Sequence, residues 1–395
     1  METLRTAHIR FKDRHAGVLL EFHGGATRFE YAEDCGETIA CALPRSQRVH
    51  EAAGLPPFFQ HLGPEGWLRA RQARTAEIAD QDDLGLLLRY GADCIGAVSV
   101  HDPDPTPLSA PEAPLDAMTL AAVEARRTIS GVVPKLLVQR IGDRFVHAGP
   151  AAPAPYIAKF PTSDLPELAL NEALSLELAR VLLGAEAVAA SALGSVEGIR
   201  PPALLVRRFD RTDEGAKLRL EDFAQVLSVP RGRDYAGKYD ASYEDASVAI
   251  AKHSASVRID LLRYFERVVA SFLLGDCDCH LKNFSLLEAP EGLRLSPAYD
   301  IVNTYVFARQ GYSTRFGLRI GGSYQMWDAI SRETLTDFGH RIGVPRRAVD
   351  RSLRRMAQRG QAVLKRLRPR PEWSDEHWRA RYWATVLDAL TRLEG

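Results

Sequence analysis

The sequence predicts an α+β chain with a β-rich N-terminal half followed by a helical C-terminal half, and a nucleotide-sized cleft between them. Three observations carry this. Up to about residue 206, short apolar or alternating runs bounded by Gly and Pro recur, which is the pattern of strands. From Glu221 onward the pattern is almost wholly helical, interrupted by one hairpin signature near Pro290. The Pro-rich stretch His101–Pro114 separates the first strands and helices from the rest and is the strongest boundary signal. A chain of 395 residues exceeds one ordinary core, so two or three domains are expected. The expected divisions are a β-rich region over 1–105, a second β-rich subdomain over 106–208, and a helical lobe over 209–395.

The elements follow in order. Gly17–Phe22 and Thr27–Tyr31 flank His23-Gly24-Gly25, a hairpin candidate. His-Gly-Gly is also found in esterase oxyanion loops, but the chain has no G-x-S-x-G elbow to accompany it. Asp83–Arg89 reads as a helix and Cys94–Val100 as a strand. Strands are expected at Lys135–Gln139, Arg144–His147, Tyr156–Phe160 and Ala203–Val206. Pro166–Leu183 is an amphipathic helix with Gly184 as its C-cap. Val268–Leu274 is the end of a buried helix that stops at Gly275. Phe284–Leu287 and Leu293–Leu295 are short strands around a turn containing Pro290 and Gly292.

Composition limits the function classes. The formal net charge is zero, so no global field draws the chain to nucleic acid or membrane. Five cysteines, odd and sparse, suit a reducing cytoplasm better than a disulfide framework. The N-terminus lacks an apolar signal region, and no apolar run approaches a membrane span. A soluble cytoplasmic protein is expected, with no membrane partner.

The most informative segment is Gly275-Asp-Cys-Asp-Cys-His-Leu-Lys-Asn283, with Tyr299-Asp300 following. It places an Asp five residues before an Asn and a second Asp across a hairpin. Protein kinases need that inventory: one carboxylate takes the hydroxyl proton, while an amide oxygen and a second carboxylate hold magnesium on a nucleotide. The hairpin would return Asp300 close to Asp278 and Asn283. Two other readings compete. A merely capped polar loop would bury many acceptors at a cost. A zinc site from Cys277, Cys279 and His280 lacks the usual four ligands in separated pairs, and Cys35, Cys41 and Cys94 supply no matching pair.

Phosphate-side candidates precede this loop. Lys159 lies in the mostly apolar strand Tyr156–Phe160, so it needs a counter-charge unless it points to solvent from an edge. A nucleotide phosphate or a carboxylate would serve, and Glu172 on the next helix is a candidate. The stretch Thr128–Lys135 is not a Walker A loop and would pass alone for an ordinary turn. Gly131 would let backbone amides approach phosphate oxygens, and Lys135 would add a contact.

Together these residues resemble the HipA family of serine/threonine kinase toxins from bacterial toxin–antitoxin modules. The resemblance runs through Leu62–Gly66, Asp93–Ala97, Thr128–Lys135, Ile157–Pro161, Asn171-Glu172, Val206–Arg211, Glu221–Gln225, Gly275–Ser285 and Pro297–Asp300. It implies a bilobal protein-kinase-like fold that uses ATP and Mg2+. It implies that Asp278 is the catalytic base and that Asn283 and Asp300 are the magnesium ligands. Ser130, Gly131, Val132, Val133, Pro134 and Lys135 would form the phosphate loop, and Lys159 would bind phosphate. His280, Leu281 and Lys282 would line the nucleotide, with Tyr299 beside Asp300. Arg207, Arg208 and Phe209 match the adenine hinge. The family typically has Glu at the position of Arg207, so a contact there would run through backbone groups.

The resemblance also implies regulation and partners. Autophosphorylation in the phosphate loop silences many relatives, and Thr128 and Ser130 are the acceptors here. A phosphate would bring nearly two negative charges into the nucleotide site. The implied substrate is an aminoacyl-tRNA synthetase of the glutamyl or tryptophanyl type, whose modification stops translation. The implied partner is a HipB-like helix-turn-helix antitoxin, and the region 1–105 would restrain the kinase. The basic run Arg346, Arg347, Arg351, Arg354, Arg355, Arg359, Lys365, Arg366, Arg368 and Arg370 is either a solvated helix face or a phosphate contact with operator DNA. The alternative function is a catalytically silent member that acts with its antitoxin as a DNA-bound regulator.

Overall fold

The computed structural model describes residues 2–105, 119, 133–149, 152–368 and 377–395. Thr128, Ser130, Gly131 and Val132 therefore lie outside the described residues. The chain forms two compact units, Met1–Pro166 with Ala192–Gly237, and Glu167–Ser191 with Lys238–Gly395.

The first unit holds two five-stranded sheets. In one, β1 (Thr3–Phe11), β2 (Arg14–Phe22), β3 (Thr27–Tyr31), β4 (Val49–Ala52) and β5 (Val98–His101) run in the order β4-β3-β2-β1-β5. The β2–β3 hairpin turns through Gly24 and Gly25 at φ 97° and 86°, a conformation glycine adopts without a Cβ clash. Alternation along β1 buries Ala7, Ile9 and Phe11 against Phe29, Tyr31 and Phe59. The helices α1 (Pro57–Gln60), α2 (Gly66–Thr75) and α3 (Asp83–Tyr90) follow. Asp82 caps α3 by accepting from Gly85 N at 2.9 Å, and Arg5 grips the same carboxylate. The strand expected over Cys94–Val100 begins only at Val98. Gly96 sits at φ 85°, and a Cβ there would come within 2.7 Å of Leu220 O.

The second sheet orders β7 (Arg144–His147), β6 (Lys135–Ile141), β8 (Tyr156–Lys159), β10 (Ala203–Arg207) and β9 (Ser191–Gly194) side by side. Its register sets Lys135 directly across from Lys159. The unit ends with β11 (Leu220–Asp222) and the single turn α5 (Phe223–Val226), closed by a reciprocal capping box between Asp222 and Gln225.

The second unit is helical around one hairpin. α4 (Leu168–Leu183) stops at Gly184, φ 105°. α6 (Tyr243–His253) starts from a Ser242–Asp245 capping box. α7 (Val257–Leu274) runs through the centre with its whole C-terminal half buried. α8 (Arg332–Arg341), α9 (Arg346–Arg366) and α10 (His377–Glu394) complete the unit, and α7 packs on α4, α6, α9 and α10. Between them β12 (Ser285–Ala289) and β13 (Gly292–Leu295) pair antiparallel, Leu286 facing Leu295 and Ala289 facing Gly292.

The helical expectation fails over residues 296–331, which hold only the 3-10 turns Thr304–Gln310 and Trp327–Ala329. Pro297 and the left-handed Gly311, Gly321 and Gly322 break any helix there. The segment's polar groups instead brace the end of α7 and the loop after it: Tyr305 N donates to Gly275 O at 3.1 Å, Gly317 N to Cys277 O at 3.0 Å, and Trp327 Nε1 to Phe272 O at 2.8 Å. Among the described residues, no helix is long and apolar enough to cross a membrane.

Candidate active site

The site in the second unit starts from the end of α7. Gly275 turns left-handed at φ 68°, and a Cβ on it would lie 2.5 Å from Thr385 Cγ2 and 2.7 Å from Asn303 Oδ1. Only glycine lets the chain leave the helix at this point. The loop beyond is fixed by its main chain: Cys277 N donates to Thr304 Oγ1 at 2.9 Å, and Tyr243 donates to Cys279 O at 2.9 Å. At its end His280 N donates to Asn283 Oδ1 at 2.8 Å, which orients the amide. Asn283 Nδ2 then donates to Asp300 Oδ2 at 3.2 Å. The hairpin thus brings Asn283 and Asp300 together. Asp300 adopts φ 57°, uncommon for a residue with a Cβ and a kind of strain that clusters at functional sites.

Three residues support this geometry: Arg267, which sequence reasoning missed, and Tyr299 and Asn171, which it had named. Arg267 on α7 is buried. It donates to Asn283 O at 2.5 Å and to Ser296 O at 3.3 Å, with its guanidinium over the rings of Phe284 and Tyr299. It ties the end of this loop to the strand that returns to Asp300, and burial pulls its pKa down. Tyr299 donates to Lys282 O at 2.8 Å and bonds Ser285, closing the same tie. Asn171 on α4 donates to Asn303 O at 3.0 Å and accepts from Asn303 N at 2.9 Å, holding the chain just past Asp300. A buried Arg inside an apolar helix run was the available signal for the first of these.

Asp278 is exposed, and Tyr239 donates to its Oδ1 at 2.5 Å. Asp276, two residues earlier, is fully buried. It accepts from Asp278 N at 3.2 Å and from Ser271 Oγ at 3.2 Å. Burial first, then the negative charge of Asp278, drives its carboxyl well above the usual range. Burial and Asp276 likewise push the Cys277 and Cys279 thiols up. Among the described residues, no group of three or more His, Cys, Asp or Glu is arranged to hold a metal ion. The Asp300 carboxylate and the Asn283 amide oxygen, which keeps a second lone pair, are the hard oxygen donors that suit Mg2+.

The remaining candidates lie elsewhere. In the first unit Lys135 and Lys159 are buried opposite each other on β6 and β8. Val133 and Pro134 lead into β6, and Phe209 is half-buried. Arg207 is exposed and pairs with Asp213. Arg208 is buried with its guanidinium donating to Asp210 at 2.8 and 3.0 Å and to Cys94 O at 3.1 Å. Its own N–H donates to Pro155 O at 2.8 Å. Arg211 spans Asp93 at 2.6 Å and Asp210 at 2.8 Å, and Gly96 N donates to Asp210 at 2.8 Å. The segments Asp93–Ala97 and Val206–Arg211 are therefore one buried ion-pair knot. Despite full burial, Asp210 is held at about 2 because Arg208 and then Arg211 stabilise its charge. Glu172 is buried on α4 of the second unit. His280, Leu281 and Lys282 are buried in the loop.

On α9, Arg355 pairs with Glu266, and Arg359 donates to Leu182 O at 2.6 Å. Arg346, Arg347, Arg351, Arg354, Lys365 and Arg366 are exposed, as is Arg368 just after the helix. Arg347, Arg351 and Arg354 follow the i, i+4, i+7 spacing of one helix face. Arg370 lies outside the described residues.

The family model described as HipA-like C-terminal domain matches residues 127–364, and that described as HipA N-terminal domain matches residues 7–101. The chain belongs to the HipA family. Among curated HipA relatives, "Putative kinase Y4dM" of Sinorhizobium fredii is 30% identical over 78% of this chain and 76% of its own. "Putative kinase Y4mE" of the same organism is 27% identical over 81% of each. The serine/threonine-protein kinase toxin HipA of Shewanella oneidensis is 24% identical over 59% of this chain and 55% of its own. The fold is that of HipA. A solved structure of Shewanella oneidensis HipA with HipB and operator DNA aligns over 98% of this chain and 96% of its own, with a TM-score of 0.74 at 20% identity.

Proposed function

We propose that this HipA-family chain is an ATP- and magnesium-dependent serine/threonine protein kinase that acts as a growth-arresting toxin. The observation that carries the reading is the meeting of Asn283 with strained Asp300 on a rigidly braced loop that also presents exposed Asp278. Asn283 and Asp300 would hold Mg2+, which when bound neutralises charge on the nucleotide's phosphates. Lys135 and Lys159 would contact phosphate oxygens, with Val133 and Pro134 leading into that contact. His280, Leu281 and Lys282 would line the nucleotide. The hinge of Arg207, Arg208 and Phe209 would hold adenine through main-chain groups, since the Arg208 guanidinium is engaged in the knot.

In the reaction, an acceptor hydroxyl oxygen bonds to the γ-phosphorus while the bond from that phosphorus to the β,γ-bridging oxygen breaks. The electron pair leaves with ADP, and Asp278 takes the hydroxyl proton. The acceptor would be an aminoacyl-tRNA synthetase of the glutamyl or tryptophanyl type. Thr128 or Ser130 would be the self-phosphorylated regulatory site. A HipB-like antitoxin would be the partner, and the exposed basic face of α9 would contact operator DNA phosphates within that complex. That face also favours a second reading, a silent member that regulates transcription with its antitoxin. The intact set of Asp278, Asn283 and Asp300 speaks against it.

Labelled ATP and Mg2+, incubated with the protein and with each synthetase, separate the two readings. Labelling of a synthetase that disappears in Asp278→Ala is the expected result. No labelling of the protein or of any synthetase by the wild type would leave the regulator reading. Mass spectrometry should find phosphate on Thr128 or Ser130, and phosphate confined to other sites would remove the regulatory claim.

A further inference from the structure

The contact that stands apart from the motif residues is the one on Asp278 itself. Tyr239 lies in the short stretch before the capping box that opens α6, and its hydroxyl reaches Asp278 Oδ1 at 2.5 Å. That lies within hydrogen-bond reach of a hydroxyl donor on a carboxylate oxygen. Two further contacts fix the ring and its backbone. The Tyr239 ring meets the His280 ring edge-on, with centroids 5.1 Å apart, and His280 belongs to the same catalytic loop. Tyr324 donates its hydroxyl to Tyr239 O at 3.1 Å, and Arg315 lies over the Tyr324 ring at 4.0 Å. From the other side, Asp278 N is held by Asp276.

An exposed Asp side chain at a loop tip is ordinarily free to sample several χ1 and χ2 settings, only some of which meet an in-line hydroxyl. We propose that Tyr239 is a positioning residue for phosphoryl transfer: its hydroxyl fixes the Asp278 carboxylate through Oδ1 and leaves Oδ2 to receive the acceptor's proton. A carboxylate has about four lone-pair sites, so one donor on Oδ1 does not exclude a second on Oδ2. The proposal rests on Asp278 being the base, so its test separates the failure of one from the failure of the other.

The test uses the full chain with Mg2+ and γ-labelled ATP. It measures total transfer of label to the protein and to water, which needs no identified acceptor. Tyr239→Phe keeps the ring against His280 and removes only the hydroxyl. It should lower the maximal rate roughly tenfold or more while leaving the KM for ATP within about twofold. Tyr239→Phe combined with Asp278→Ala should be no slower than Asp278→Ala alone, because a residue that acts through Asp278 has nothing left to position. A merely structural tyrosine would slow both backgrounds equally and lower the thermal midpoint.

A Tyr239→Phe rate equal to wild type overturns the proposal. So does a rate above wild type, which would mark Tyr239 as a plug over the base. Additive losses in the double variant also overturn it. Wild type no faster than Asp278→Ala is a different outcome, because it removes the role given to Asp278 itself.

Discussion

Asp210 and Asp276 are both fully buried aspartates in sequence motifs of the same family, yet their surroundings push them in opposite directions. Around Asp210, two guanidiniums and a backbone N–H compensate the charge, and the carboxylate stays ionised. Around Asp276 burial and neighbouring carboxylates drive the carboxyl well above its free value. The first arrangement is a closed knot that holds the first unit together. The second crowds carboxyl groups near one braced loop, where burial and each neighbouring negative charge oppose ionisation of Asp276. Compensated charge marks scaffold in this molecule, and crowded carboxyl groups mark the candidate site.

The difference breaks most visibly under substitution. Asp210→Ala leaves Arg208 buried without its main partner and should lower stability by about 3–5 kcal/mol in urea titration. A loss below about 1 kcal/mol would mean the knot is not structural. Next in size, Gly275→Ala forces a Cβ into Thr385 and Asn303 at a left-handed position and should cost about 2–3 kcal/mol. A neutral result would show that the loop exit tolerates rearrangement.

The smallest effect belongs to Asp276→Asn. It replaces a carboxyl whose charged form burial disfavours and should change stability by less than about 1 kcal/mol. Its signature is in pH. The folded Asp276 keeps its proton above the free value of 3.8, so the unfolded chain releases protons first and wild-type stability falls as pH rises beyond that value. Asp276→Asn should flatten this fall. Asp210 has the opposite sign. Its folded value of about 2 lies below the free 3.8, so its contribution is present above the free value and is lost as pH falls through about 2. Unfolding curves of both variants between acid and neutral pH compare the two signs directly. Parallel pH slopes for wild type and Asp276→Asn would contradict the assignment.

Local chemistry was legible in the sequence where one residue type decides it. Gly275 after an apolar run, the Pro290–Gly292 turn and the Gly24-Gly25 turn are positions where backbone geometry depends on a single side chain. The meeting of Asn283 with Asp300 followed from the hairpin. What stayed hidden depends on pairing across long separations. Nothing in Val206–Arg211 signals that Arg208 and Arg211 close on Asp93 and Asp210, which turns a hinge motif into a buried knot. Arg267 reads as one more helix cation until its contacts with Asn283 O and Ser296 O are seen. The segment 296–331 was expected to be helical, but backbone bonds from Tyr305 and Gly317 go instead to Gly275 and Cys277.

We propose that the loop bearing Asn283, with Asp300, is built for a divalent cation and that the compensated knot is not. Binding of Mn2+ with ATP, followed by electron paramagnetic resonance on the full chain, tests it most directly. Asp300→Asn and Asn283→Ala should each weaken Mn2+–ATP binding at least about tenfold. Arg144→Ala, at an exposed pair with Glu197 in the first unit, should leave it unchanged. Unaltered Mn2+–ATP binding in Asp300→Asn would contradict the account.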